Sequence, residues 1–218
     1  MGTYTIRPLE VARLGAPLGV LSMGGDMQTF IVAPVLIFYI EGGGKKIVMD
    51  AGLEAPGEEG VVHGFPVVGG GGGEGVRAAL QSVGTTPEEI DYLVLSHLHF
   101  DHCAEAPLFK NARVILQKKE WETAFHPVPT ARQFYEPSLF RNLEAMDLVL
   151  VEGEYAVAEG VSTLFLPGHS QGLQGLAVDT AAGTAVLTGD LCYSYYNLDP
   201  TRTEITDLNG TTLAVTPR

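Results

Sequence analysis

Residues 96–102 read SHLHFDH, and His97, His99 and His102 within them are half of the chain's six histidines. A lone histidine near a strand is ordinarily a hydrogen-bonded core or surface residue. Here three imidazoles and the carboxylate of Asp101 fall between positions 97 and 102, followed by GHS at 168–170 and TGD at 188–190. At the extended end of a strand, His97 and His99 point the same way, so both can reach one ion. Asp101 and His102 belong to the turn that follows and can face a neighbouring position. Two imidazoles with a later histidine would make one site, and the Asp–His pair would begin a second. Neutral imidazole with carboxylate suits zinc, manganese, iron or cobalt, while the lack of thiolate argues against a closed structural zinc.

The order His-x-His-x-Asp-His after a strand, then Gly-His, then Gly-Asp, resembles the metallo-β-lactamase superfamily over about residues 30–200. The resemblance implies an α/β fold: an αββα sandwich of two mixed sheets flanked by helices, with the site at the sheet edges. It further implies two divalent metal ions. His97, His99 and His169 would hold the first, Asp101 and His102 the second, and Asp190 would bridge both. Two cations roughly 3.5–4 Å apart share a hydroxide near neutral pH, because each lowers the pKa of bound water. Asp101 could then pass a proton to a leaving alkoxide. Asp50, in MDAG, resembles the superfamily's early Asp-x-Gly turn and would orient the ligands.

Within the superfamily, zinc β-lactamases carry a cysteine where Asp190 stands and lack the histidine that follows Asp101 here, so Asp190 and His102 point away from antibiotic hydrolysis. Phe100 inside SHLHFDH, and Tyr193 three residues after Asp190, are similar to the N-acyl-homoserine lactonases. By that resemblance Tyr193 hydrogen-bonds the lactone carbonyl or its oxyanion, a sensible place for a phenol donor. Phe100 and Met23, in LSMGG, would line the substrate pocket. The plainer readings are a core tyrosine in the string YSYY and a core phenylalanine. The expected reaction is opening of a lactone ring by a metal-bridging hydroxide, with zinc as the expected metal. Two rivals stand beside it. A glyoxalase II-like thioester hydrolase would want basic residues for an acidic thiol carrier, and only Arg202 and Arg218 follow Asp190. A metal-binding sandwich without turnover would fit a lost ligand: these families supply a seventh, a late histidine, and no histidine follows His169. Either the sequence is incomplete, lacking the family's C-terminal helix and strand, or three side chains hold the second ion.

The rest of the chain must position these groups. Its 218 residues, 45% hydrophobic, suit one packed domain spanning 1–218. A net charge of −13 disfavours nucleic acid and leaves a neutral small molecule unpenalised. No signal peptide is legible, and FIVAPVLIFYI at 30–40 is too short for a bilayer and reads as a buried strand. The expectation is a cytoplasmic protein with no membrane partner; the resemblance is compatible with a homodimer. Cys103 and Cys192 read as small hydrophobes rather than a bridge. VLIFYIEGGGKKIVMDAG predicts a hairpin turning at Gly42–Gly44, and LEAPGEEGVVHGFPVVGGGGGEG a mobile loop, a candidate lid containing His63 and Phe65. Helix is expected over 76–84, at KKEWETAF and on either side of Pro137, with strands at DYLVLS, RVILQ, LVLVEGE, VSTLFLP, GLAVDT and TAVLTGD.

Overall fold

The computed structural model describes residues 3–21 and 26–193, with the backbone of a short strand pair, Ile205–Thr206 and Thr212–Leu213. β1 (Thr5–Pro17) leads through a single helical turn, α1 (Leu18–Leu21), to β2 (Phe30–Gly42), its antiparallel partner. β2 turns at Gly43–Gly44 into β3 (Lys45–Met49), the expected hairpin. Burial in β2 begins only at Val35: Phe30 and Val32 are exposed, so the apolar run is half a core strand and half an extension beyond the core.

The stretch expected to be a loop is one only as far as Gly60. β4 (Val61–Val62) and β5 (Phe65–Gly70) form a hairpin, and β5 adds to the edge of β1. α2 (Gly72–Gln81) begins inside the glycine run itself. Gly70 sits at φ +70°, and a Cβ there would collide with the Val11 carbonyl oxygen. The glycines therefore let backbone pack on backbone where any side chain would intervene.

Three βα-type crossovers follow, giving β6 (Tyr92–Val94), α3 (Phe100–Cys103), β7 (Arg113–Gln117), α4 (Lys118–Phe125), α5 (Pro137–Phe140) and β8 (Asp147–Val151). Around Pro137 the expected helix is a set of short pieces, with 3₁₀ turns at Arg132–Phe134 and Arg141–Ala145 on either side of α5. The first sheet has the order β4-β5-β1-β2-β3-β6-β7-β8, antiparallel up to β3 and parallel from β3 to β8. The second contains β9 (Ala156–Ala158), β10 (Val161–Phe165), β11 (Gln174–Thr180) and β12 (Gly183–Leu187), in the order β12-β11-β10-β9. The first sheet is mixed, as expected. The strands of the second are antiparallel, with a parallel bridge from Tyr4 to Thr180.

Two apolar layers result. Ile40, Ile47, Met49, Val94 and Ile115 of the first sheet meet Val161, Leu176 and Val178 of the second. On the other face, Ile37, Val48, Leu93 and Val114 pack beneath α2, α4 and α5 through Val76, Leu80, Ala124 and Phe140. Among the described residues the helices with buried faces all lie on this first sheet, and Val186 on the outer side of the second is 52% exposed. Gln174 joins the sheets: its amide donates to the Leu95 and Ile115 carbonyls at 2.8 and 3.1 Å.

Candidate metal centre

Parallel neighbours β3, β6 and β7 all end at one edge of the first sheet, the usual place for a site in such sheets. There β3 delivers Asp50, β6 delivers residues 97–102, and β7 delivers Glu120 through the first turn of α4. From the second sheet, β10 leads to His169 and β12 to Asp190 in a 3₁₀ turn at Gly189–Leu191. β10 and β12 run the same way because both are antiparallel to β11, so their ends meet the first sheet's site edge.

Five of the six expected ligands come together in two groups. One ligand atom each from His97, His99 and His169 lie within 4.8 Å of one another, and the same holds for His97, His102 and Asp190. His169 Nε2 stands 3.0 Å from His99 Nδ1. Asp190 Oδ2 lies 3.3 Å from His102 Nε2 and 3.5 Å from His169 Nε2, between the two histidine groups. Asp101 stands just outside the second group, with Oδ2 3.6 Å from His102 Nε2.

Asp50 explains how the imidazoles are aimed. It adopts φ +67°, a left-handed conformation that is uncommon outside glycine. The compensation is three contacts: its carboxylate accepts from Ser96 N at 2.7 Å and Ser96 Oγ at 2.9 Å, and meets His102 Nδ1 at 2.9 Å. A carboxylate only accepts, so His102 Nδ1 carries hydrogen and its Nε2 faces Asp190. Ser96 Oγ has spent its hydrogen on Asp50, so at 2.9 Å it accepts from His97 Nδ1 and leaves His97 Nε2 as a bare acceptor. The orienting role expected of Asp50 is thus visible in its contacts.

His97 Nε2 and His99 Nε2 are buried with no hydrogen-bond partner among protein groups. An unpaired buried polar nitrogen costs roughly 1–3 kcal/mol, and two adjacent ones in a histidine cluster fit a bound cation. The charges agree. Burial, then the neighbouring imidazoles, hold His97 and His99 well below the usual histidine range, so both are neutral and able to ligate. Burial would lower His102 too, but the Asp190, Asp101 and Asp50 carboxylates outweigh it and raise its pKa. Burial opposes ionisation of Asp190, yet His102, His169 and His99 together pull its carboxyl well below the usual range. Asp101 moves up, through burial and the nearby Asp190 and Asp50 charges. The donor set of neutral imidazoles and carboxylates fits divalent metal ions.

Tyr193 is 41% exposed, but its hydroxyl reaches inward to lie 3.0 Å from His169 Nδ1. Its exposure does not fit a core tyrosine, and its hydroxyl stands beside a candidate ligand. Phe100 is 2% exposed, with His63 stacked on it at 4.5 Å and Phe65 at 5.9 Å between ring centroids. The hairpin that stands where a mobile loop was expected thus covers it, and the core reading fits its burial better than an open pocket wall. Met23 lies outside the described residues. His126 follows α4 and joins no ligand group among the described residues, in keeping with a structural role. Cys103 and Cys192 are unpaired.

Sequence reasoning passed over Glu120. Its fully buried carboxylate accepts four hydrogen bonds: Oε1 from Leu98 N at 3.0 Å and Tyr135 Oη at 2.9 Å, Oε2 from Ser170 Oγ at 2.7 Å and Gly172 N at 3.1 Å. Burial raises its pKa and those donors pull it back. The signal was its spacing: Glu120, Thr123 and Ala124 share the buried face of α4 at helical intervals.

The profile of the Metallo-beta-lactamase superfamily matches residues 31–213. An N-acyl homoserine lactonase of Bacillus cereus is 31% identical over 178 residues, which are 76% of this chain and 67% of that protein. Another, of Bacillus thuringiensis, is 36% identical over 121 residues, 55% of this chain and 46% of its own length. The chain thus spans about half the length of that relative. Among solved structures, an N-acyl homoserine lactone hydrolase with the product N-hexanoyl-L-homoserine at its catalytic metal centre superposes with a TM-score of 0.81 at 26% identity, covering 95% of this chain and 84% of that one.

Proposed function

The chain belongs to the metallo-β-lactamase superfamily, and on that premise we propose that it is a metal-dependent hydrolase that opens the ring of an N-acyl homoserine lactone. The observation that carries the reading is the pair of buried, unpartnered imidazole nitrogens on His97 and His99, set among His102, His169 and Asp190 with the Tyr193 hydroxyl beside them. His97, His99 and His169 would hold one ion and His102 with Asp101 the second, Asp190 serving both. Zinc is our choice on donor type. When bound, the ions supply Lewis acidity and a water acidic enough to act as nucleophile near neutral pH.

The remaining chemistry belongs to the chain's own side chains. If His169 ligates through Nε2, its Nδ1–H donates to Tyr193 Oη at 3.0 Å, and the phenol hydrogen, which faces Asp190, can turn to a lactone carbonyl as negative charge gathers on its oxygen. Desolvation of the inward-turned hydroxyl, on a residue otherwise 41% exposed, with Asp190 and Asp101 nearby, raises the pKa of that phenol, so it stays a donor at neutral pH. Asp101, a carboxylate beside the reacting atoms in this reading, would relay a proton to the departing ring oxygen. Asp50 keeps His102 and, through Ser96, His97 in their ligating tautomers.

Among the described residues no helix is long and apolar enough to cross a membrane. Two unpaired cysteines suit a reducing cytoplasm, which is our proposed location. A homodimer is proposed from the resemblance alone and is a matter for sedimentation. The reading is tested by comparing turnover of N-acyl homoserine lactones with that of thioesters of an acidic thiol. A clear lactone preference is expected; a thioester preference would replace this reading with the glyoxalase II-like one.

A further inference from the structure

Glu120 touches none of the metal-ligating atoms, yet each of its four hydrogen bonds ends on a segment that carries or contacts a ligand. Leu98 is the residue between His97 and His99. Ser170 follows His169, and Gly172 closes that same loop. Tyr135 packs its ring edge-on against His99, with centroids 4.6 Å apart. Oε1 thus grips the loop from the first sheet and Oε2 the loop from the second. The grip requires close approach: a Cβ on Gly172 would run into the Glu120 backbone.

A buried carboxylate satisfied by four donors is expensive to place, because burial opposes its charge. A hydrophobic residue could join α4 to the sheet at less cost. What a carboxylate does instead is fix two loops from two different sheets to one rigid group, with geometry set on both oxygens.

Resting on the metal-centre reading above, we propose that Glu120 is a positioning residue that holds the His97–His99 and His169 loops at the separation needed for a shared ion. Glu120→Gln is the informative change. It keeps the shape but turns one oxygen into a donor facing donors. A serine or tyrosine hydroxyl can turn to accept, but the backbone N–H of Leu98 or Gly172 loses its acceptor, and one loop is released.

The experiment measures zinc affinity of the full chain by chelator competition, and the visible spectrum of the cobalt(II)-loaded protein, for wild type, E120Q and S170A. The metal-free unfolding midpoint is recorded alongside. Expected for E120Q is zinc affinity weaker by about 10–100-fold, the usual effect of losing a ligand-orienting partner, with an altered cobalt(II) ligand-field spectrum. S170A should move affinity the same way by less. In the lactone assay at saturating zinc, kcat should fall with KM little changed. If E120Q binds zinc as wild type does and keeps its cobalt(II) spectrum while only the metal-free midpoint drops, Glu120 is structural and the proposal is overturned. Should E120Q fail to fold, S170A decides alone: unchanged affinity and spectrum overturn the proposal. Failure of wild type itself to bind zinc would instead overturn the metal-centre reading.

Discussion

Asp50 holds a backbone conformation that costs energy and makes three contacts that justify it, so its carboxylate is the place to perturb the centre without touching a ligand. Asparagine tolerates the left-handed region, which keeps the backbone in place in Asp50→Asn. Its amide would present a donor to Ser96 or to His102 Nδ1. Zinc affinity should weaken by about 10–100-fold, read by chelator competition; an unchanged affinity would show that His102 is aimed by something else. Tyr193→Phe removes a phenol whose oxygen lies beside His169 Nδ1. Steady-state kinetics on an N-acyl homoserine lactone should show kcat lower by about 10²-fold, in the range seen when one oxyanion donor is lost, with zinc content unaltered. At this scale the sequence was most legible where chemistry is concentrated in rare residue types. His97, His99 and His102 announce themselves because histidines seldom crowd. Glu120 did not, because a glutamate in KKEWE looks like surface charge until the burial of its helix face is known.

Elements determine how those residues meet. The ends of β3, β6 and β7 are adjacent because these strands are parallel neighbours, and apolar runs such as RVILQ marked them well in advance. The glycine run misled for a physical reason: composition reads glycine as freedom, whereas here it permits β5 and α2 to press against the backbone of β1. β9, three residues long, left too little pattern to find. Gly172 belongs to the same class as Gly70. Gly172→Ala should force α4 away from the His169 loop, costing about 1–3 kcal/mol as overpacking does. Urea unfolding of the metal-free chain checks this, and a stability equal to wild type would mean that the loop moves freely.

On the scale of the molecule, two sheets face each other over one apolar layer, and the metal centre sits where their edges converge. Ile47 is fully buried in that layer. Ile47→Ala should cost about 2–5 kcal/mol in urea unfolding, and a much smaller loss would mean that the sheets close over the gap. Ligands drawn from both sheets also make metal a clamp between them. Zinc at 100 times its Kd should add about 2.7 kcal/mol, raising Tm by roughly 5–10 °C for a chain of this size, and chelator should reverse it. The two-sheet architecture was implied by the family resemblance that the motif order carries. The placement of helices was not, since the described helices with buried faces all cover the first sheet and no periodicity in the sequence says which face a helix takes. The most direct test of the account is proton release in a pH-stat from an N-acyl homoserine lactone, using the zinc-loaded chain with and without chelator. The account predicts rapid acid release that chelator abolishes. No release from protein shown to hold its zinc would contradict it.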